Sequence, residues 1–253
     1  MDITNKVTVI TGAGSGLGAE TAHFLAARGA RVAIVDLNIE AARRVADECG
    51  GFAIACDVAD AASAEAAIDR IAREVGLPQI LVNCAGIAPA ARIVGRNGPM
   101  ALADYEKVIR VNLIGTFNMM RLVAAQAAGT EPNDEGERGV IISTASVAAY
   151  EGQIGQAAYA SSKAGVVGLT LPAARELASV GIRVCTIAPG IIGTPMLLAM
   201  PQEVQKSLGA SIPFPSRLGR PEEYAMLVHA IVENPLLNGE TIRLDGAVRL
   251  APK

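Results

Sequence analysis

The stretch Val7–Gly18, VTVITGAGSGLG, decides the fold. Val7–Thr11 is a short β-branched run, the mark of a buried strand. Glycines then crowd a turn, and Glu20–Arg28 follows with a helical pattern. Strand, glycine turn and helix in that order are the context a phosphate-binding loop requires. Gly12, Gly16 and Gly18 let the backbone turn tightly, with Ser15 and Leu17 in the same loop. A pyrophosphate can then approach the helix N-terminus, where free N–H groups and the helix dipole favour an anion. A strict Gly-x-Gly-x-x-Gly is not met, because position 17 is Leu; the spacing is Thr-Gly-x-x-x-Gly-x-Gly.

Downstream, Arg31–Val35 reads as a second strand ending at Asp36, eighteen residues past Gly18. An acid there accepts hydrogen bonds from an adenosine ribose 2′-hydroxyl, and its charge repels a 2′-phosphate. Leu37, Asn38 and Ala13 are not basic, so these residues favour NAD over NADP. The same carboxylate is also placed to cap the predicted helix Asn38–Glu48. Phe52–Cys56 is a third strand, with Asp57 and Val58 at its end. Ser63–Glu74 is an amphipathic helix with Asp60 or Ser63 as its cap, broken by Gly76-Leu77-Pro78. Ile80–Val82 is a fourth strand, running into Asn83-Cys84-Ala85-Gly86.

Ala88–Pro99 is punctuated by glycine and proline and starts no regular element. Leu102–Ala128 reads as one long helix, with Asn112 inside it although asparagine is a poor interior helix former. Gly129–Gly139, GTEPNDEGERG, is an exposed acidic loop before the strand Val140–Ser143. Ile182–Ile187, Pro221–Val232 and Glu240–Leu244 complete a set of seven strands alternating with helices, the pattern of a parallel α/β sheet in one domain over residues 1–253.

A second stretch, Ala145–Gly165, reads ASVAAYEGQIGQAAYASSKAG. Ser146 precedes Tyr159 by thirteen residues, and Lys163 follows four later. Positions i and i+4 share a helix face, so Tyr159 and Lys163 point the same way. A free phenol is a poor base at neutral pH, and an ammonium beside it is expected to lower its pKa. A tyrosine tuned this way can exchange a proton with an alcohol or carbonyl oxygen, and Ser146 would hydrogen-bond the same oxygen. Pro172, inside the predicted helix, removes the N–H that would bond back to the Gly168 carbonyl and predicts a bend there or a carbonyl satisfied by water. Gly165 and Gly168 would admit another helix at close range, from this chain or a second subunit. Thr194-Pro195 opens an apolar segment, residues 196–200, that suits either plain core or a cover over a ligand.

Half the 253 residues are hydrophobic, 51%, enough for a sizeable core, and the net charge is −3. No Lys/Arg-rich run calls for nucleic acid or an anionic membrane. No apolar run reaches the ~18 residues of a membrane span. Cys84 and Cys185 are expected to be buried on strands, and His23 and His229 to be structural. The cysteines form no CxxC pair and only two histidines exist, so no metal site is expected. The N-terminus enters a strand almost at once, and the expected location is cytoplasmic.

The glycine loop and the Ser146–Tyr159–Lys163 trio resemble the short-chain dehydrogenase/reductase family. That resemblance implies a Rossmann-type doubly wound fold with a seven-stranded parallel sheet. It also implies that Asp57 and Val58 meet an adenine ring and that Asn83, Cys84, Ala85 and Gly86 lie beside the cofactor. The family usually has Asn where Cys84 stands. By the same resemblance, Lys163 also binds the nicotinamide ribose, Pro189, Gly190 and Ile192 are cofactor-binding, Thr194 contacts the nicotinamide carboxamide, and Asn112 anchors a water relay behind the Tyr/Lys pair. Read from the residues alone, the alternatives are a turn residue for Asp57 and a core amide satisfied by backbone for Asn112.

The stretches EPNDEGERG, IPFPSRLGRPEEYA and ENPLLNGETIRLDGA narrow the likeness to the type II 3-hydroxyacyl-CoA dehydrogenases, also described as 17β-hydroxysteroid dehydrogenase type 10. That subfamily implies NAD, short or branched 3-hydroxyacyl-CoA substrates, a role in fatty acid metabolism, a homotetramer, and Gln156 at the substrate beside Ser146 and Tyr159. A hydroxysteroid or other secondary-alcohol dehydrogenase, and a 3-oxoacyl-carrier-protein reductase, are the alternative readings.

Overall fold

The computed structural model describes residues 1–96 and 98–252. In chain order the elements of its main sheet and the helices between them are β1 (Val7–Thr11), α1 (Gly16–Ala26), β2 (Arg31–Asp36), α2 (Ile39–Cys49), β3 (Phe52–Ala55), α3 (Ala61–Glu74) and β4 (Ile80–Asn83). A short antiparallel hairpin, β5 (Val94–Gly95) with β6 (Gly98–Pro99), comes next. Then follow α4 (Leu102–Ile109), a π-helical segment (Arg110–Ile114), α5 (Gly115–Ala128), β7 (Gly139–Thr144), α6 (Ala157–Leu177), β8 (Ile182–Pro189), α7 (Pro195–Leu198), α8 (Gln202–Ala210), α9 (Pro221–Glu233) and β9 (Thr241–Leu244).

The sheet has seven strands in the order β3-β2-β1-β4-β7-β8-β9, and every pair is parallel. The chain starts at the middle, walks outward to β3, then returns past β1 to β4. That reversal is the point in an open α/β sheet where a crevice forms at the strands' carboxyl ends. Side chains alternate between two faces, as strand geometry dictates. Ile10, Ile34, Val82 and Ile142 pack with Leu25 of α1 and Val228 of α9. Val9, Val35, Leu81 and Ile141 pack with Ile68 of α3 and Met119 and Val123 of α5. Helices on both faces explain why the strands are apolar throughout.

Four expectations are corrected. The Leu102–Ala128 helix is continuous in direction but opens into a π segment at Asn112. Asn112 is fully buried, and both ends of its side-chain amide are hydrogen-bonded. Its Oδ1 accepts from the Ile87 N–H at 2.8 Å, and its Nδ2 donates to the Ile87 carbonyl at 2.9 Å and to Ser162 Oγ at 3.0 Å. The Thr116 hydroxyl donates to the Asn112 carbonyl at 2.7 Å, taking up an oxygen in the widened turn.

By length and composition this same helix is apolar enough to cross a membrane, contrary to the sequence reading. Half of its most apolar stretch is buried inside the fold, against the sheet and α3. Ala88–Pro99 is not wholly irregular, because it contains the β5–β6 hairpin. Finally, Gly165 is approached by its own chain: a Cβ there would lie 2.6 Å from Leu113 Cδ2, whereas Gly168 faces open space. Pro172 lies inside α6, which continues as one helix to Leu177.

Gly165 therefore lets the π segment, and Asn112 with it, sit against α6. Gly165→Val should force Leu113 away and cost about 1–3 kcal/mol of stability, read as a lowered urea midpoint. An unchanged midpoint would show that this close contact is not required.

Candidate active site

The carboxyl ends of β1, β2, β4, β7 and β8 open into a cleft of about 1070 Å³. At one end lies the glycine loop. Gly12 adopts φ +61°, and a Cβ there would stand 2.7 Å from the Ala85 Cα. The loop after β1 thus lies directly on the loop after β4, which only glycine permits. Gly16 at φ +57° has no atom within 3.7 Å of where its Cβ would be, so the backbone at the α1 N-terminus is open to the cleft. Ser15, the N-cap of α1, makes no side-chain capping bond. Those free N–H groups are what a phosphate needs.

Asp36 braces this loop. Its Oδ2 accepts from the Gly14 N–H and its Oδ1 from the Asn38 N–H, each at 2.9 Å. It does not cap α2: Asn38 does, accepting from Glu40 and Ala41. Asp57 holds a turn by accepting from the Ala59 N–H at 2.9 Å, and Asp60 caps α3. The cleft is lined by Gly12, Ser15, Gly16, Leu17, Gly18, Asp36, Asp57 and Val58, and further along by Cys84, Ala85 and Gly86. Pro189, Gly190, Ile192 and Thr194 also line it, Thr194 beside Gly16. A dinucleotide fits this set: a glycine cradle, free helix-terminal N–H groups and the Asp36 carboxylate beside the loop.

Asn83 does not line the cleft. It is buried in the floor beneath, where its Nδ2 donates to Ser143 Oγ at 3.4 Å and its Oδ1 has no hydrogen-bond partner. Strand β4 runs through Asn83, so its side chain alternates into the helix-packed face. Cys84 lies just past the strand rather than on it and is half-buried; Cys185 is fully buried on β8.

Ser146, Gln156, Tyr159 and Lys163 all line the other end of the cleft. Ser146 follows β7 and caps a 3₁₀ turn, Val147–Ala149, by accepting from the Ala148 N–H at 3.1 Å. Tyr159 and Lys163 lie one turn apart on α6. Lys163 is buried, and its Nζ donates to the Thr144 carbonyl at 2.6 Å. It stands 5.8 Å from the Tyr159 ring centroid. Asn112 sits behind this pair on the π segment and outside the cleft lining, held through Ser162 on α6.

The electrostatics correct one expectation. Burial pushes the Tyr159 phenol up, and a hydrogen bond from the Ser146 side chain offsets part of that. Loss of solvation for the phenolate sets the direction, and the Lys163 Nζ is directed at Thr144. Lys163 itself is pushed down to about 8 by burial.

Several residues escaped the sequence reading. Thr144 and Tyr224 form a buried pair, with Thr144 Oγ1 and Tyr224 Oη 2.7 Å apart. Val248–Ala251 and Leu208 also line the cleft. They come from the far end of the chain, and no local motif marks them. Of the apolar segment 196–200, Leu197 lines the cleft; the Met196 side chain lies outside the described residues. His23 and His229 lie away from the cleft, near Glu48 and Glu233. Among the described residues, no group of three or more His, Cys, Asp or Glu side chains is arranged to hold a metal ion.

Residues 6–205 match the family described as short chain dehydrogenase. The chain is 51% identical over 254 residues to 3-hydroxyacyl-CoA dehydrogenase type-2 of Drosophila melanogaster, spanning 99% of this chain and 100% of that protein. It is 52% identical over 256 residues to the Bos taurus protein of the same name, spanning 99% and 97%. The crystal structure of 3-hydroxyacyl-CoA dehydrogenase type-2 from Mycobacterium avium superposes with a TM-score of 0.93 at 45% identity, covering 98% of this chain and 97% of that one.

The Lys163 shift has a measurable sign. The folded protein releases this proton at about 8, and the unfolded chain releases it near the ordinary 10.5. Between those values the unfolded state binds more protons, so stability rises with pH. The cost of burying the ammonium is complete below the folded pKa and lifts above it. Wild type should therefore gain on Lys163→Met between about pH 7 and about pH 9, measured as urea midpoints at each pH. A difference between the two that does not move with pH would contradict the assignment.

Proposed function

This chain belongs to the short-chain dehydrogenase family, and from that premise we propose that it oxidises the 3-hydroxyl of short or branched 3-hydroxyacyl-CoA thioesters to the 3-oxo form, reversibly, with NAD. It is an oxidoreductase that uses a nicotinamide cofactor. The observation that carries the finer reading is one cleft with two ends. One holds the glycine loop and Asp36; the other holds Ser146 and Tyr159 with Lys163 behind them. The substrate class follows the relatives named 3-hydroxyacyl-CoA dehydrogenase type-2, about half identical over nearly the whole chain.

In the forward direction Tyr159 accepts the proton of the substrate hydroxyl. Ser146 donates to the substrate oxygen as charge builds there, and Gln156 borders the acyl side. Gly12, Ser15, Gly16, Leu17 and Gly18 would hold the pyrophosphate. Asp36 would accept from the adenosine ribose, and Lys163 would reach the nicotinamide ribose. Oxidised nicotinamide, when bound, would supply the hydride acceptor, and its positive charge would favour the phenolate that burial opposes. Asn112 keeps α6 and the Ile87 loop in register behind the pair.

Asp36 supports NAD over NADP, because a ribose 2′-phosphate would meet a carboxylate with no cation in the Leu37-Asn38 turn. The cysteines of the described chain are all free, which fits a reducing compartment such as the cytoplasm. A homotetramer is supported by Ile114, Phe117 and Leu171, which are 47%, 50% and 44% exposed on the π segment, α5 and α6. Sedimentation velocity should give a tetramer, reduced to smaller species by Phe117→Glu; a monomeric wild type would reject it.

The test of the activity is direct. Wild type should reduce acetoacetyl-CoA with NADH at least tenfold faster than with NADPH. Tyr159→Phe should lose on the order of 10²–10⁴ in kcat. A variant keeping more than a tenth of wild-type turnover, or a preference for NADPH, would reject the assignment.

A further inference from the structure

The chain beyond β9 lines the cleft beside Gln153, and the mechanism above makes no use of it. Val248, Arg249, Leu250 and Ala251 line the cleft together with Gln153 and Gln156. Val248 is buried, at 2% exposure, and Leu250 is half-buried. Two hydrogen bonds tie this strap to the loop between Ser146 and α6: Gln153 Nε2 donates to the Ala251 carbonyl at 2.9 Å, and the Ile154 N–H to the Pro252 carbonyl at 3.0 Å. The same loop holds Gln156, whose Oε1 accepts from the Gln153 N–H at 3.0 Å.

An ionic latch sits at the base of the strap. Arg243 on β9 grips Glu151 on the loop with two parallel bonds, Nη1 to Oε1 at 2.7 Å and Nη2 to Oε2 at 2.9 Å. Its Nε donates to Asp245 Oδ2 at 2.7 Å, and Nη2 also reaches the Val248 carbonyl at 3.1 Å. Arg249 completes the set, 3.2 Å from Asp245 Oδ2 and 3.5 Å from Glu151 Oε1. Arg243 and Glu151 are each only 22% exposed. A forked guanidinium–carboxylate pair in partial shelter is stronger and more directional than an open surface pair. One guanidinium thus spans the loop, the turn after β9 and the strap.

We propose that Val248–Ala251 is the wall that sets acyl-chain length, with Leu250 as its specificity-determining residue and Glu151–Arg243 as the positioning pair that holds it opposite Gln156. This rests on the dehydrogenase reading above. An apolar side chain facing a ligand discriminates by volume, typically about tenfold or more per methylene. A latch acting through the loop should change substrate binding without changing cofactor binding.

The experiment measures kcat and KM for 3-hydroxybutyryl-CoA and 3-hydroxyoctanoyl-CoA, with KM for NAD alongside. Leu250→Ala should raise the octanoyl-to-butyryl ratio of kcat/KM about tenfold, and Leu250→Trp should lower it below wild type. Glu151→Gln and Arg243→Gln should each raise the acyl KM several-fold with an unchanged KM for NAD, and the double variant should cost no more than either alone. Ratios equal to wild type in both Leu250 variants overturn the strap alone. So does a rise in the NAD KM that matches the rise in the acyl KM. A wild type inert on both thioesters overturns the substrate reading, and the strap falls with it.

Discussion

Lys163 is buried, and its ammonium donates to the carbonyl of Thr144. A charge taken out of water needs such a partner, since an unpaired one costs several kcal/mol. Thr144 is the last residue of β7, and its hydroxyl works in the opposite direction. It reaches the Asn83 carbonyl at 2.5 Å and the phenol of Tyr224 at 2.7 Å. If the hydroxyl proton goes to Asn83, Tyr224 must donate to Thr144, leaving the phenol oxygen to accept from the Cys84 thiol, 3.6 Å away. One residue therefore joins β4, α6 and α9. Ser146 lies two residues on, so its position follows from the same anchor.

The parallel sheet supplies the frame for that anchor. Thr11 pairs with Asn83, Asn83 with Ser143, and Ser143 with Thr186, forming one row across the sheet. The glycine loop, Ala85, Ser146 and Pro189 all follow within a few residues of that row. In a sheet whose strands all run the same way, every strand delivers its next loop to one edge. The glycine loop and the Ser146, Tyr159 and Lys163 group, separated by more than a hundred residues of chain, thus share one cleft.

Strand regularity alone would not place the catalytic helix. The π segment at Arg110–Ile114 turns Asn112 toward Ile87 and Ser162, and Leu113 settles over Gly165. A widened helical turn of this kind leaves backbone oxygens short of partners, and here Thr116 takes up the one on Asn112. At the other end of the cleft, the Arg243–Glu151 pair couples β9 to the loop before α6. The site is therefore braced from behind by a distorted helix and from the side by the end of the chain.

The strand–glycine–helix opening, the seven alternating elements and the i, i+4 placement of Tyr159 and Lys163 were legible in the sequence, because each depends on residues close together in the chain. Strand periodicity and helix spacing are local, and so are glycine's turn and the offset from Gly18 to Asp36. What the sequence could not supply depended on burial and on contacts between distant segments. Asn83 went into the floor rather than the cleft because β4 extended one residue further. The phenol of Tyr159 rose rather than fell because solvation loss is a property of the packed site. Gly165 met Leu113 of its own chain, and residues 248–251 reached the cleft beside Gln153 through a hydrogen bond about a hundred positions away in sequence. Those outcomes are sums over neighbours that only the tertiary structure assembles, so no local pattern could announce them.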